Sequence, residues 1–324
     1  MTILVTGGAG YIGSFMVKRL VDKGDTVIVI DNLVHGHRST IESSSKLVNG
    51  NILDKEFISK VFSENKIDAV IHFAAYISMG ESMRNPGLYF ENNTFGLLNI
   101  LEAMQKNSVK KIIFSSTAGV YGDPVTVPIP EDHQKNPNNP YGESKLMSEK
   151  VLQWYWKIFG IQSVALRYFN ACGAALDGSM GEDHPDESHL IPNAIKSILN
   201  NKEFILFGND YDTPDGTCIR DYIHVLDLVD AHALSLDKLE NQKGNFIYNV
   251  GTGIGYSNKE VLITIERVSG RKINIKQEAR REGDAHALIA DVSRIKNDIG
   301  FVPQYSDLET IIKSAWEWHT SQKA

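Results

Sequence analysis

The feature that most constrains the fold is an alternation, over roughly the first half of the chain, of short apolar runs with longer amphipathic segments. Runs this short and rich in β-branched residues predict strands buried on both faces, as in parallel sheets. The segments 13–21, 88–105 and 143–158 have helical periodicity. Strands alternating with helices predict an α/β protein with a doubly wound parallel sheet. The runs lie at 3–5, 27–30, 46–48, 69–73, 112–114 and 163–166.

The organisation of the chain changes after Asn170. The segment 174–189 is rich in Gly, Asp and His, which predicts a loop. Beyond it, helices and short strands mix less regularly, so we predict a smaller C-terminal α+β substrate domain over 170–324. The first domain covers 1–169. A predicted helix at 221–239 and a predicted strand at 246–250 suggest that 221–250 returns to it.

Charge and cysteine usage exclude several classes of protein. The chain has 33 Lys and Arg against 40 Asp and Glu, a net charge of −7, and no basic run, so we expect no nucleic-acid partner. No apolar stretch approaches the roughly 20 residues of a spanning helix. A strand predicted from Ile3 leaves no room for a signal peptide, so we expect a cytoplasmic protein. Cys172 and Cys218 have no metal-ligand spacing, which predicts two free buried thiols and no metal site.

A glycine-rich turn separates the first predicted strand from the first helix. Its sequence at 6–13 is Thr-Gly-Gly-Ala-Gly-Tyr-Ile-Gly, with Gly7, Gly10 and Gly13 at the spacing that lets backbone approach a pyrophosphate. The helix N-terminus then favours the phosphate charge. Asp31 ends the second predicted strand, where its carboxylate can accept hydrogen bonds from ribose hydroxyls and repel a 2′-phosphate. The turn and Asp31 predict a Rossmann-like NAD site, although basic residues between 35 and 38 keep NADP as an alternative.

A tyrosine and a lysine four residues apart predict an acid–base pair. Tyr141 and Lys145 would share one face of a helix that begins after the proline-rich segment 136–140. A phenol ionises near pKa 10, but an ammonium group and an oxidised nicotinamide would both stabilise the phenolate. Thr117 follows the strand at 112–114, at the sheet edge where α/β proteins bind ligands. We predict that its hydroxyl hydrogen-bonds the substrate oxygen that Tyr141 deprotonates.

These motifs resemble the extended short-chain dehydrogenase/reductase family over nearly the whole chain. The glycine-rich turn, His-Phe-Ala-Ala at 72–75, Ser-Ser-Thr at 115–117, Val-Tyr-Gly at 120–122 and the Tyr/Lys pair all match. A second set is similar to the members of that family that epimerise UDP-sugars at C4. It comprises Leu-Arg-Tyr-Phe-Asn at 166–170, Phe-Gly-Asn-Asp-Tyr at 207–211, Arg-Asp-Tyr-Ile-His-Val at 220–225 and Arg-Arg-Glu-Gly-Asp at 280–284.

The resemblance implies a role for particular residues. Tyr141 would be the base, Lys145 its electrostatic partner and Thr117 the hydroxyl donor. NAD would bind to Gly7, Gly10, Tyr11, Ile12, Gly13, Asp31, Asn32, Asn51, Ile52, Phe73, Ala74, Ala75, Asn92, Tyr141, Lys145 and Phe169. The UDP-sugar would contact Thr117, Tyr141, Asn170, His189, Leu190, Phe207, Arg220, Arg281, Asp284 and Leu288.

The implied activity is an isomerisation: C4 of UDP-glucose or UDP-galactose is inverted through a transient 4-keto sugar. NAD is regenerated in each turnover, so the protein would hold it tightly. The resemblance also implies a homodimer formed through the segments 88–105 and 143–158. Leu288 stands where the family varies a residue lining the sugar pocket. Its intermediate size leaves acceptance of UDP-N-acetylglucosamine open.

Three other functions are compatible with parts of this pattern. C4 epimerases acting on UDP-pentoses or UDP-glucuronate would use the same residues. A 4,6-dehydratase shares the first oxidation, but such enzymes place Asp-Glu after the catalytic Thr, where this chain has Ala118 and Gly119. A catalytically silent NAD-binding regulator could use the same fold, but the presence of Tyr141 and Lys145 argues against it. An electrostatic alternative also stays open for Arg220 and Arg281, which could pair with their neighbours Asp221 and Glu282.

Overall fold

A computed structural model describes residues 1–184, 187–280 and 284–322. The chain packs into two compact units, each built from separate stretches of sequence. The first unit comprises Met1–Gly122, Lys135–Arg167 and Val229–Tyr248; the second comprises Asp123–Gln134, Tyr168–Leu228 and Asn249–Ala324. The domain boundaries predicted from the sequence divided the chain near 169, whereas the second unit also contains the short stretch 123–134.

The strands and helices follow one another along the chain. The strands are β1 (Thr2–Thr6), β2 (Thr26–Asp31), β3 (Lys46–Asn49), β4 (Ala69–His72), β5 (Lys111–Thr117), β6 (Gln162–Tyr168), β7 (Asn170–Cys172), β8 (Phe204–Phe207), β9 (Ile219–His224), β10 (Asn245–Val250), β11 (Gly255–Ser257), β12 (Ile275–Glu278) and β13 (Ala287–Leu288). The α-helices are α1 (Tyr11–Asp22), α2 (Lys55–Glu64), α3 (Met79–Arg84), α4 (Pro86–Tyr89), α5 (Gly96–Lys106), α6 (Pro140–Phe159), α7 (Leu190–Asn200), α8 (Val225–Asn241), α9 (Asn258–Ser269), α10 (Ser293–Ile299) and α11 (Leu308–Ser321).

The large sheet has the predicted parallel, doubly wound arrangement. Within the described residues it contains seven strands in the order β10-β6-β5-β4-β1-β2-β3. β1 pairs in parallel with β2 and β4, and β4 pairs in parallel with β5. Ile3, Leu4 and Val5 of β1 are completely buried, as expected for a central strand covered on both faces. The predicted α/β, Rossmann-like fold class is confirmed, and the predicted strand at 246–250 is β10, at one edge of this sheet.

The helix predicted at 88–105 contains a local irregularity. The chain passes from α4 through a π-helical stretch, Phe90–Phe95, into α5. Leu97 and Leu101 of α5 then pack into the core that contains Leu4 and Val70. Apolar periodicity reports the buried face of α5, but it does not reveal a turn widened by one residue. Such π turns occur often at functional sites.

The second unit has its own small sheets and core. β9 pairs with β7 and β13 in parallel and with β11 antiparallel. β8 and β12 form a separate parallel pair. Ile195 of α7, Ile265 of α9 and Ile312 of α11 are fully buried in one cluster.

The helix predicted at 221–239 begins four residues too early. Residues 219–224 form β9, and the helix α8 starts only at Val225. The buried Asp221 carboxylate accepts backbone N–H groups of Thr252, Gly253 and Ala290 at 2.8, 2.9 and 3.1 Å. Pairing partners on both sides of β9, together with these hydrogen bonds from distant loops, override the local helical pattern.

Two smaller expectations concern loops and thiols. The described residues of the segment 174–189 contain no helix or strand, so the predicted loop is confirmed for them. Cys172 and Cys218 are free and buried, also as predicted. Among the helices that the structure describes, none is both long and apolar enough to cross a membrane.

Candidate active site

Tyr141 lies in the first turn of α6. Pro140 occupies the first position of this helix, and the Asn139 side chain caps it by accepting the Gly142 N–H at 2.9 Å. Proline at the first helical position, with Asn as the N-cap, is a typical helix start. The prediction that the proline-rich segment ends just before a helix is therefore confirmed, and Lys145 lies one turn beyond Tyr141.

Thr117 ends β5, and its side chain interacts with that of Tyr141. Thr117 Oγ1 accepts the Gly119 N–H at 3.0 Å, which orients the hydroxyl. A side-chain hydrogen bond between Thr117 and Tyr141 lowers the pKa of the phenol. The structure thus brings together the two hydroxyl groups that the sequence placed at one reaction centre.

The protein alone raises the pKa of Tyr141, because burial disfavours the charged phenolate more than the Thr117 hydrogen bond favours it. We expected Lys145 to shift this pKa downward. In the structure, however, Lys145 Nζ donates to the Ser115 carbonyl oxygen at 2.8 Å and lies 5.0 Å from the centre of the Phe114 ring. The ammonium group is therefore held by β5, and a downward shift of the Tyr141 pKa would need a further positive charge.

The Lys145 ammonium is itself unusually easy to deprotonate. The side chain is 1% exposed, and burial lowers its pKa to about 7. His72, at the end of β4, is equally buried, and burial together with the charge of Lys145 lowers its pKa to about 3. Neutral His72 and Thr6 share a 2.8 Å hydrogen bond. At neutral pH Lys145 is therefore close to its titration point, whereas His72 is uncharged.

A buried ion pair lies directly behind the serine and threonine residues of β5. Arg167 of β6 donates Nε and Nη2 to both carboxylate oxygens of Glu149, at 2.9 and 2.6 Å. Ser116 donates to Glu149 at 2.6 Å, and Arg167 Nη1 donates to the Tyr121 hydroxyl at 2.8 Å. This network fixes the end of β5 against α6. The sequence motifs did not predict this network, although a lone arginine at the end of an apolar strand pattern, Arg167, indicates a buried charge that needs a partner.

The glycine-rich turn has the geometry that a dinucleotide phosphate requires. Gly7 has a φ of +72°, and a Cβ there would lie 2.6 Å from the backbone nitrogen of Ala74. A Cβ on Gly13 would lie 2.1 Å from the Gly7 carbonyl oxygen, so helix and turn pack too closely for a side chain. Gly10 precedes α1 and provides no side-chain cap for its N-terminus. An N-terminus of this kind, at the end of a parallel strand, fits a phosphate.

Asp31 occupies the end of β2, as predicted. Its Oδ2 accepts the Ala9 N–H of the glycine-rich turn at 3.0 Å, and its Oδ1 accepts the Leu33 N–H at 2.8 Å. A carboxylate has about four acceptor positions, so both oxygens retain capacity for hydroxyl groups. The donor and acceptor set of the turn and Asp31 fits an adenosine dinucleotide.

The remaining residues proposed for NAD occupy loops and helix ends. Phe73, Ala74 and Ala75 follow β4, Asn51 and Ile52 follow β3, Asn32 follows Asp31, and Asn92 lies in the π-helical stretch. All are in the first unit except Phe169, which is in the second. Asn93, which the sequence analysis missed, connects this region: it donates to the Tyr76 carbonyl oxygen at 3.0 Å and to Ser144 Oγ at 3.1 Å.

The described residues proposed for the nucleotide sugar, apart from Thr117 and Tyr141, lie in the second unit. Asn170 begins β7, Leu190 begins α7 after His189, Phe207 ends β8, and Arg220 and Leu288 are paired residues of β9 and β13. Asp284 precedes β13, while Arg281 lies outside the described residues. His189 contacts Glu182 through Nδ1.

Arg220 is fixed by a different partner from the one considered in the sequence. Its Nη1 donates to the carbonyl oxygens of Ile219 and Ala285, both at 2.9 Å, and its Nη2 contacts Asp284 at 3.1 Å. Asp221 instead accepts backbone N–H groups. The alternative pairing of Arg220 with Asp221 is therefore wrong, and two proposed substrate ligands, Arg220 and Asp284, hold each other in place.

A glycine-rich turn that fits a phosphate, a strand-end carboxylate that can accept ribose hydroxyls and a Tyr/Thr/Lys group on one Rossmann-like unit are typical of a dehydrogenase-type site for a dinucleotide. The chain belongs to the NAD-dependent epimerase/dehydratase family, whose model matches residues 3–251. The family resemblance predicted from the sequence is confirmed.

Named relatives narrow this class further. The chain is 49% identical to a UDP-glucose 4-epimerase of Streptococcus mutans, over 99% of this chain and 97% of that protein. It is similar to the crystal structure of UDP-glucose 4-epimerase from Bifidobacterium longum in complex with NAD+ and UDP, with a TM-score of 0.95, 39% identity, and coverage of 100% of this chain and 99% of that one. It also resembles the UDP-Glc/GlcNAc 4-epimerase of Campylobacter jejuni, with a TM-score of 0.86, 41% identity and 99% coverage of both chains.

Proposed function

We propose that this protein is a UDP-glucose 4-epimerase that binds NAD and interconverts UDP-glucose and UDP-galactose. The observation that carries the proposal is that Tyr141 and Lys145 of α6 lie in the same unit as Thr117, the glycine-rich turn and Asp31, with Lys145 held by the Ser115 carbonyl oxygen two residues before Thr117. The enzyme class and cofactor predicted from the sequence agree with those named for the relatives.

The chain's own residues supply proton transfer and orientation. Bound NAD supplies a reversible hydride acceptor and a positive charge that favours ionised Tyr141. Tyr141 accepts the proton of the sugar 4-hydroxyl, and Thr117 hydrogen-bonds the same oxygen. Once the sugar has turned its other face, Tyr141 returns the proton and C4 has the opposite configuration. Because oxidation is reversed within one turnover, no external oxidant is consumed.

Residues of the second unit are proposed to bind the nucleotide. Arg220 and Arg281 would neutralise the diphosphate, since guanidinium groups bind phosphate oxygens in pairs. Asp284 would accept hydrogen bonds from the uridine ribose, and Phe207 would pack on uracil. The backbone contacts of Arg220 Nη1 leave this guanidinium already oriented before a ligand arrives.

The test is to incubate the purified protein with UDP-glucose alone and to follow the sugar by proton NMR. We expect UDP-galactose to appear without added nucleotide, because NAD copurifies, and we expect the Tyr141→Phe variant to show little conversion. Parallel samples with a UDP-pentose and with UDP-glucuronate test whether the protein prefers one of these sugars to UDP-glucose. Absence of conversion with NAD present, or formation of a 4-keto-6-deoxy sugar, would contradict the proposal.

A second activity, on UDP-N-acetylglucosamine, is supported by Leu288 and by one relative. Leu288 is only partly buried at the end of β13, and its side chain is smaller than tyrosine. The relative from Campylobacter jejuni is named for both sugars. A parallel NMR sample with UDP-N-acetylglucosamine tests this activity, and turnover of UDP-glucose alone at saturating concentrations of each sugar would exclude it.

We further propose a homodimer that works in the cytoplasm. Trp154 and Ile158 of α6 are 59% and 63% exposed, and they share a face of that helix with Met147. Phe95, next to α5, is also 59% exposed. Exposed apolar side chains of this size on neighbouring helices fit a subunit interface. The two free cysteines fit a reducing compartment.

A further inference from the structure

The loop that leads into α7 gathers four metal-ligand side chains, three of which have no part in the proposed reaction. They are Glu182, His184, Glu187 and His189. One ligand atom from each lies within 4.8 Å of all the others in the described residues. We propose that this cluster binds one divalent transition-metal ion, Zn²⁺ in preference to others, as a closed structural site.

The spacing of the ligand atoms is close to that of a tetrahedral zinc site. With zinc–nitrogen and zinc–oxygen distances of about 2.0–2.2 Å, two ligand atoms are about 3.3–3.5 Å apart. His184 Nδ1 lies 3.3 Å from Glu182 Oε1 and 3.8 Å from Glu187 Oε1. His189 Nδ1 lies 3.9 Å from Glu187 Oε1 and directly contacts Glu182 Oε1. Three of these four separations need to change by only a few tenths of an ångström, and the His189–Glu182 contact has to open.

The burial of the two carboxylates supports a cation at their centre. The side chains of Glu182 and Glu187 are 5% and 6% exposed, and two buried negative charges are unfavourable unless a cation compensates them. Glu187 Oε1 accepts the N–H groups of Ser188 and His189 at 2.9 and 3.0 Å, which fixes the carboxylate. Within the described residues, Glu187 Oε2 is buried and accepts no hydrogen bond, with Lys196 Nζ 3.7 Å away.

Without a metal, the imidazole and carboxylate groups of the cluster interact with one another electrostatically. Burial lowers the pKa of His184, but the adjoining carboxylates outweigh this and raise it to about 10. Burial raises the pKa of Glu182, but the two imidazoles outweigh this and lower it to about 2. A metal needs unprotonated imidazole and carboxylate ligands, so its binding to such a set releases protons and strengthens as pH rises.

The chemical types of the four ligands favour one class of metal ion. Two imidazole nitrogens and two carboxylate oxygens suit zinc and its first-row neighbours, whereas Mg²⁺ and Ca²⁺ prefer oxygen ligands throughout. Four protein ligands leave no open position for a reacting water, which is typical of structural zinc sites. The metal would fix the path of the loop into Leu190. A metal at His189 Nδ1 leaves only Nε2 of that ring for the sugar nucleotide.

The first experiment uses the wild-type protein, treated with EDTA and then titrated with Co²⁺. We expect one Co²⁺ per chain with the intense visible absorption of four-coordinate cobalt, displaced by one equivalent of Zn²⁺ with release of protons. A weak six-coordinate spectrum, or loss of the metal on gel filtration, would show that the cluster consists of ion pairs alone.

Three variants locate the site. Glu182→Gln and His184→Gln should each abolish the intense cobalt spectrum and reduce zinc content at least tenfold. Asp183→Asn removes an equal charge from the same loop, outside the cluster, and should retain full binding. Equal loss in Asp183→Asn and Glu182→Gln would mean general charge attraction, and it would overturn the assignment. If the cluster variants do not fold, the cobalt spectrum of the wild-type protein alone tests the proposed metal site.

Discussion

At the scale of single residues, the balance between burial and charge determines what Tyr141 and Lys145 do. The sequence placed both on one helical face and Thr117 at the end of a strand, and spacing alone sufficed for that. It could not give the Tyr141 pKa, because the raised value comes from burial by residues distant in sequence. Nor could it show that Lys145 is held by the Ser115 carbonyl oxygen. Periodicity predicts where these residues lie in the helix and the strand, whereas their pKa values depend on how the rest of the chain packs around them.

The pKa of Lys145 gives a pH-dependent stability in protein free of nucleotide. The folded value of about 7 lies below the ordinary value of 10.5, so between these values the unfolded chain holds more protons. Stability should therefore rise with pH across this window. Relative to Lys145→Met, the wild-type free energy of unfolding should rise by about 1 kcal/mol per pH unit between pH 7 and 10. Urea unfolding at several pH values measures it. A pH-independent difference would show that Lys145 titrates normally.

The Thr117 hydroxyl should matter for the chemical step. Thr117→Val keeps the shape of the side chain but removes the hydrogen bond to Tyr141, so kcat should fall by about 10²-fold with little change in KM. Thr117→Ser retains the hydroxyl and is the matched control, expected to stay within about tenfold of wild type. Steady-state epimerisation rates measure both. An equal fall in the two variants would mean that the methyl group, rather than the hydroxyl, is needed.

At the scale of secondary-structure elements, the strands of the large sheet were predictable because each is a short apolar run covered on both faces. The start of β9 was not, because Asp221 is stabilised by loops around 252 and 290, far along the chain. The π-helical stretch and the cluster at 182–189 were missed for different reasons. The first has no apolar signature, and the second is an irregular Glu-x-His-x-x-Glu-x-His spacing that matches no familiar ligand motif.

Breaking the buried ion pair between β6 and α6 should strongly destabilise the protein. Glu149→Gln leaves the Arg167 guanidinium buried without its counter-charge, so unfolding should become easier by about 3–5 kcal/mol. Asp22→Asn, which removes one partner of the exposed pair with Lys18, should cost less than about 1 kcal/mol. Urea denaturation compares the two variants. Similar losses would indicate that the buried network is dispensable.

At the scale of the whole molecule, the described residues place the proposed catalytic group on the first unit and an ordered Arg220–Asp284 pair on the second. The resemblance supplied the list of substrate ligands, but it could not show that two of them are already paired. The proposed homodimer belongs to this scale as well, because its support is the exposed apolar face of α6 rather than any single motif.

Introducing a charge on this face should separate the subunits. Trp154→Glu places a carboxylate at a residue that is 59% exposed, so the folded monomer should tolerate it while an apolar interface should not. Val302→Glu, at a similarly exposed residue elsewhere, should stay dimeric. Sedimentation at micromolar concentration distinguishes a 36.1 kDa monomer from a dimer. A monomeric wild-type protein would contradict the interface.

The central claim is that C4 is inverted by removing its hydrogen as hydride and returning the same hydrogen to the other face of the sugar. The most direct measurement starts from UDP-glucose labelled with deuterium at C4, in unlabelled water, with no nucleotide added. NMR of the product should show UDP-galactose with the deuterium still at C4. UDP-galactose that carries hydrogen from water at C4 would contradict the account, because it would require proton exchange instead of hydride return.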